Sequence, residues 1–278
     1  MKKLGFLFLA ATILSGCQEQ SAGQPMIRAE IGRDGAETVI TNAPEEQMPE
    51  EAAASPASVC QAVEFEGVAL THCVADPALH RIKTALAPVS GERFGTIQGW
   101  ADGEEIGNVA FAMNGGAFGD DLRPLGYFVR DSERLSELNR GDGDGNFFMK
   151  PNGVFFGTGE NWRILEAEAF VRTVGTRPEF GTQSGPMLVI DGELHPEIAE
   201  NGSSRAIRNG VGIGEDGKAH FVISDAPLSF GQLARFYRDE LDVPNALFLN
   251  ANTSSLWDPA SGRMDDRRVG PILVVETQ

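Results

Sequence analysis

The sequence predicts an α+β fold: a mixed, largely antiparallel β-sheet core with a few packed helices, in a single domain behind a disordered tether. Three observations lead there. Short β-type runs are separated by turn dipeptides, one segment carries complete helix-start chemistry, and the stretch ahead of both lacks aromatic residues.

At the N-terminus, Lys2 and Lys3 precede an apolar run from Leu4 to Leu14 that is too short to span a bilayer, so residues 1–16 read as a cleavable signal. The following Leu14-Ser15-Gly16-Cys17 looks like a lipobox, which implies a lipid on Cys17 as the first residue of the mature chain. Gln18, standing where Asp would retain the chain at the inner membrane, resembles lipoproteins sorted outward. The expectation is an outer membrane lipoprotein, attached to the membrane through Cys17, with its domain facing the periplasm.

Residues 17–58 are rich in Glu, Ala, Pro, Ser and Gln and read as a flexible tether, because such a composition buries too little apolar surface to order itself. The few apolar residues between Met26 and Ile40 predict no defined element. Residues 59–278, roughly 220 of them, suit one domain with a full core. With Cys17 spent on lipid, Cys60 and Cys73 form an even pair that an oxidising periplasm should bridge. Closing so short a loop contributes about 3 kcal/mol, a staple with no redox task. The cysteines form no metal cluster, and no metal or cofactor is expected. The net charge of −17, or −19 once Lys2 and Lys3 leave, argues against nucleic acid as a partner. Small anions stay open, since a local arginine cluster decides their binding.

Within the domain, Asn152-Gly153 ahead of Val154-Phe155-Phe156, Asp191-Gly192 after Met187 to Ile190, and Asp216-Gly217 before His220 to Ser224 read as hairpin turns. The clearest helix starts at Ser229, with Gln232 completing a capping box. Phe230, Leu233, Ala234, Tyr237 and Leu241 then share one face as core, and Arg235, Arg238 and Asp239 lie on the solvated one. Ala246 to Leu249 reads as a buried strand.

Four polar segments sit at strand ends, where a scaffold presents side chains and backbone N–H groups to ligands. Asn114-Gly115-Gly116 follows the apolar run Val109 to Phe111, and its glycines permit close approach of another group. Asn139 to Phe147 alternates Asp and Gly but lacks the closing glutamate of an EF-hand, so it reads as a loop folding over a ligand. Thr182-Gln183-Ser184-Gly185-Pro186 offers a hydroxyl outside any Gly-x-Ser-x-Gly elbow, and nothing in the sequence pairs His195 or His220 with it. Arg205 and Arg208, with Asn209 and Gly210 following, suit recognition of phosphate or carboxylate.

In order along the chain, Asn114-Gly115-Gly116, Gly145-Asn146-Phe147, Lys150 to Val154, Thr182 to Pro186, Arg205 with Arg208 to Gly212, and Phe221 to Ser224 resemble the phosphodiester glycosidase family, over about Cys60 to Val275. The resemblance implies hydrolysis of a sugar-1-phosphodiester to free sugar and a phosphomonoester, with a glycan or small molecule as partner. On it, Arg205 and Arg208 take the phosphate. Asn114, Gly115, Gln183, Ser184, Asn209 and Ser254 hold sugar or phosphate oxygens, and Asp225 is the available carboxylate. One departure stands out: where the family usually reads Leu-Asp-Gly, this chain reads Leu249-Asn250-Ala251 ahead of Ser254-Ser255. Asparagine supplies no carboxylate base. If the missing aspartate is catalytic, the chain is a binder of envelope glycans unless Asp225, Asp120 or Asp121 compensates.

Overall fold

The structure, a computed structural model, describes residues 29–31, 37–39, 57–88, 95–104 and 106–278. The expected signal and Cys17 lie outside the described residues. Two compact units divide at Ala54 and Ser55. The first contains a small antiparallel ribbon, β1 (Ala29–Ile31) with β2 (Glu37–Val39), in a stretch whose composition had predicted no element. The β-branched Ile31, Thr38 and Val39 favour extended backbone there.

In the second unit the chain runs through β3 (Cys60–Phe65), β4 (Val68–Ala75), β5 (His80–Leu86), α1 (Ile97–Ala101), β6 (Val109–Asn114), β7 (Phe128–Arg130), β8 (Glu133–Ser136), β9 (Gly153–Thr158), β10 (Asn161–Glu166), α2 (Ala167–Thr173), β11 (Phe180–Ser184) and β12 (Met187–Ile190). It continues through β13 (Glu193–Leu194), β14 (Arg208–Ile213), β15 (Ala219–Ser224), α3 (Phe230–Arg235), β16 (Asn245–Ala251), β17 (Leu256–Asp258), β18 (Arg263–Met264) and β19 (Pro271–Thr277).

Three sheets result, ordered β10-β9-β11-β7-β8, β13-β12-β16-β14-β15-β4-β3 and β18-β17-β6-β19-β5. Every strand pair among the described residues is antiparallel. The fold is therefore mostly antiparallel sheet with a few short helices, without the parallel pairs that a mixed sheet would add. All three sheets feed one central core: Phe111, Met113 and Leu273 from one, Phe155, Trp162 and Phe180 from another, and Val211, Phe221 and Leu247 from the third. Such burial removes apolar surface from water at about 25 cal/mol per Å² and holds the sheets together.

The turn dipeptides fare unequally. Asp191-Gly192, both at positive φ, joins β12 to β13, and Gly217, also at positive φ, lies in the β14–β15 turn. Asn152-Gly153 is no hairpin. The buried Asn152 spends its amide on the Phe147 carbonyl (3.0 Å), and Gly153 opens β9 where a Cβ would lie 3.1 Å from the Leu165 carbonyl. The β9–β10 turn instead uses Gly159, at the far end of the strand.

Ser229 caps α3, and both halves of its capping box with Gln232 form. Residues Phe236–Glu240 continue it as a wider turn in which the Leu241 N–H bonds the Phe236 carbonyl. The widening buries Phe236 beside Tyr237, which 3.6-residue spacing did not predict, while Leu233 and Ala234 pack as expected and Phe230 and Leu241 stay half-buried. Cys60 and Cys73 face each other across β3–β4 and are disulfide-bonded, tying the edge strand of the largest sheet to its neighbour.

Candidate active site

Where β6, β14 and the segment after β16 meet, the core turns polar. Asn114 ends β6 and Asn209 is the second residue of β14, and both are fully buried. Their amides bond reciprocally: Asn209 Nδ2 donates to Asn114 Oδ1 (2.9 Å) and Asn114 Nδ2 to Asn209 Oδ1 (3.4 Å). The Ser255 N–H donates to Asn114 Oδ1 (2.8 Å), and Ser254 Oγ lies 3.0 Å from Asn209 Oδ1 and 3.1 Å from the Asn250 carbonyl. Satisfied in this way, the buried amides rigidify the strand ends instead of costing stability.

Ser254 also borders an open cleft of about 290 Å³, shared with Ile207, Ile223, Asp225, Arg263, Asp265 and Arg267. Asp225, just past β15, accepts from Arg263 Nη1 at Oδ1 (2.8 Å) and from Thr71 Oγ1 at Oδ2 (2.9 Å). Arg263 turns its other side to Asp265, with Nε and Nη2 donating at 3.2 and 3.0 Å. Asp265 is fixed in turn by the Leu256 N–H (2.9 Å). Burial alone would lower the Arg263 guanidinium, but Asp265 and Asp225 outweigh it and hold the group above its ordinary value. Two carboxylates bridged by one forked cation therefore face a hydroxyl-bearing wall. Such a set can accept sugar hydroxyls and take a proton from water.

Of the residues picked from sequence, Asn114, Asn209, Ser254, Asn250 and Asp225 belong to this region. Asn250 lies opposite Asn209 in the β14–β16 ladder, where its Oδ1 accepts the Ala251 N–H (2.8 Å). Ser184 is buried next to them, donating to the Leu249 carbonyl (3.0 Å). Gly115 donates its N–H to the Pro271 carbonyl (2.8 Å), and a Cβ on Gly116 would overlap the Gln183 carbonyl. Gly116 thus admits β11 at close range, and Gly115 lies against the start of β19. Gln183 is spent on the protein: its Oε1 accepts the Tyr127 and Asn139 N–H groups, both at 2.9 Å, and its Nε2 donates to the Asn139 carbonyl (2.7 Å).

Arg205 and Arg208 are not brought to the cleft. Strand alternation sends Arg208 to the opposite face of β14 from Asn209, where its guanidinium stacks 3.8 Å over the Phe230 ring and donates to the Leu228 and Ser204 carbonyls. Burial pulls its pKa down to about 10. Arg205 is exposed and bonded to Gln232 (2.7 Å). Asp120 and Asp121 are exposed, the latter accepting the Arg123 N–H. His220 is partnered by His72 (3.0 Å), away from Ser184. A larger groove of about 400 Å³ beside Lys83, Trp100 and Arg130 holds none of these candidates.

Sequence reasoning missed Thr71, Arg263 and Asp265. Arg263 and Asp265 are two apart on one side of a short hairpin, a period-two signal, but Thr71 arrives from β4, far away in the chain.

A profile of the phosphodiester glycosidase family matches residues 107–276, which include the amide pair and the cleft residues other than Thr71. The uncharacterised protein YigE of Escherichia coli (strain K12) is 35% identical over 183 residues, covering 66% of this chain and 71% of that one. The zebrafish N-acetylglucosamine-1-phosphodiester alpha-N-acetylglucosaminidase catalytic domain, auto-inhibited by its pro-peptide, superposes with a TM-score of 0.52 at 14% identity over 91% of this chain and 82% of that one, a likeness of fold. The chain belongs to the phosphodiester glycosidase family.

Proposed function

We propose that this protein is a periplasmic hydrolase that cleaves a sugar-1-phosphodiester or a related envelope glycan in the cleft beside Asp225 and Ser254. The observation that carries it is Ser254, which hydrogen-bonds the buried Asn114–Asn209 pair through its Oγ and also borders an open cleft containing three carboxylates, Asp225, Asp265 and Asp266. In this reading water attacks the anomeric carbon, the bond from that carbon to the phosphate oxygen breaks, and free sugar and a phosphomonoester leave. Asp225, oriented by Arg263 and Thr71, takes the proton from water. The lipid on Cys17 would hold the domain at the outer membrane, within reach of envelope substrates.

One observation favours a second reading. Asn250 stands where the family usually has aspartate, and its side-chain Oδ1 accepts the Ala251 N–H. A site that relied on that carboxylate would bind an envelope glycan without turning it over.

The test is release of N-acetylglucosamine from its synthetic 1-phosphodiester by the full chain. Wild-type turnover that drops by about a hundredfold or more in Asp225→Asn supports the hydrolase. Silence in wild type with turnover in Asn250→Asp supports the binder. Silence in both removes this substrate.

A further inference from the structure

We propose that Arg267 is the residue by which the cleft recognises the charge of a substrate phosphate. The inference rests on the cleft's being the substrate site, and it concerns which cation reads the anion there. The arginines favoured by sequence are elsewhere: Arg208 is buried on the far face of β14 and Arg205 is tied to Gln232 at the surface. Arg263 does line the cleft, but it is occupied. Its Nη1 serves Asp225 and Thr71, and its Nε and Nη2 serve Asp265. Four of its five N–H donors are spent in this way, so Arg263 can offer a phosphate one N–H of Nη2 but no forked pair unless a carboxylate is displaced.

Arg267 is the cleft's other cation. It lines the same 290 Å³ space as Ser254 and Asp225, its residue is exposed, and it makes no hydrogen bond or ion pair among the described residues. The need for such a group is electrostatic. Asp225, Asp265 and Asp266 outnumber Arg263 and Arg267 along the cleft, within a chain of net charge −17, so an anion enters against the field unless a free cation meets it. A guanidinium presents two parallel N–H donors to two phosphate oxygens, a geometry suited to this task. The division of labour is then clear. Arg263 orients carboxylates toward the sugar side, and Arg267 takes the phosphate side.

Calorimetric binding of N-acetylglucosamine 1-phosphate and of free N-acetylglucosamine to the full chain tests this. Wild type should prefer the phosphorylated sugar, and Arg267→Gln should cut that preference by about tenfold to a hundredfold, with Arg267→Lys in between. Arg130→Gln, at an exposed arginine on the other groove, controls for loss of a positive charge in general. An unchanged preference in Arg267→Gln, an equal loss in Arg130→Gln, or no preference in wild type overturns the assignment. Failure of the hydrolase reading is distinct: a wild type that prefers the phosphate but releases no sugar from the diester still supports Arg267 as the anion-reading residue of a binding site.

Discussion

Arg208 is the residue whose chemistry was most open to misreading. In the sequence it stands beside Asn209 like a phosphate ligand, yet in the fold the two point to opposite faces of one strand. It is 2% exposed and has no carboxylate partner, and its Nη1 lacks a hydrogen bond among the described residues. Its place is held by stacking on Phe230 and by the Leu228 and Ser204 carbonyls. Arg208→Ala should cost about 2–4 kcal/mol in urea unfolding, because it leaves a cavity and unpaired carbonyls. Arg208→Met should cost less, since it refills the volume and removes a desolvated charge. If the methionine variant stayed folded but lost substrate binding, the placement of the site on the other face would be wrong. Asn209 was legible as a site residue, but its partner Asn114 lies 95 positions earlier, so their pairing was not.

At the scale of elements, local rules held where the chain decides for itself. The Ser229 capping box formed as read, and Ser229→Ala should lower stability by about 1 kcal/mol, seen as a shift in denaturation midpoint at unchanged slope. A loss well above that would mean that Ser229, itself buried, carries packing as well as a cap. Asp191-Gly192 turned as its positive φ values demand. The Asn152-Gly153 signal failed for a physical reason. Both residues face neighbours from other segments, Phe147 and Leu165, and those contacts outweigh the dipeptide's preference for a turn. The glycine-rich segment around Asn139 is likewise held from afar by Gln183, Glu168 and Lys150 rather than by its own composition.

Across the whole molecule, acid is the condition expected to separate folded from unfolded chains. His72 on β4 and His220 on β15 meet at 3.0 Å between their rings' nitrogens, and burial, then the neighbouring His220, brings His72 from 6.5 down to about 4. Between those values the unfolded chain binds a proton that the folded chain refuses, so stability falls as pH drops through that window. His72→Gln should flatten this loss, which is on the order of 2 kcal/mol, in denaturation series run at pH 7 and pH 4.5. An unchanged acid slope in the variant would show that other groups govern it. The strand-rich class, the capped helix, the cysteine pair and family membership were legible in the amino acids alone, because each is encoded in neighbouring residues or in ordered motifs. Which polar residues share a site was fixed by the folding of distant strands against one another. Whether Arg208 or Asp225 reaches the cleft depends on strand parity and register, and the Asp225–Arg263–Thr71 contact joins the end of β15, the start of β18 and the middle of β4, which antiparallel pairing brings together from distant parts of the chain.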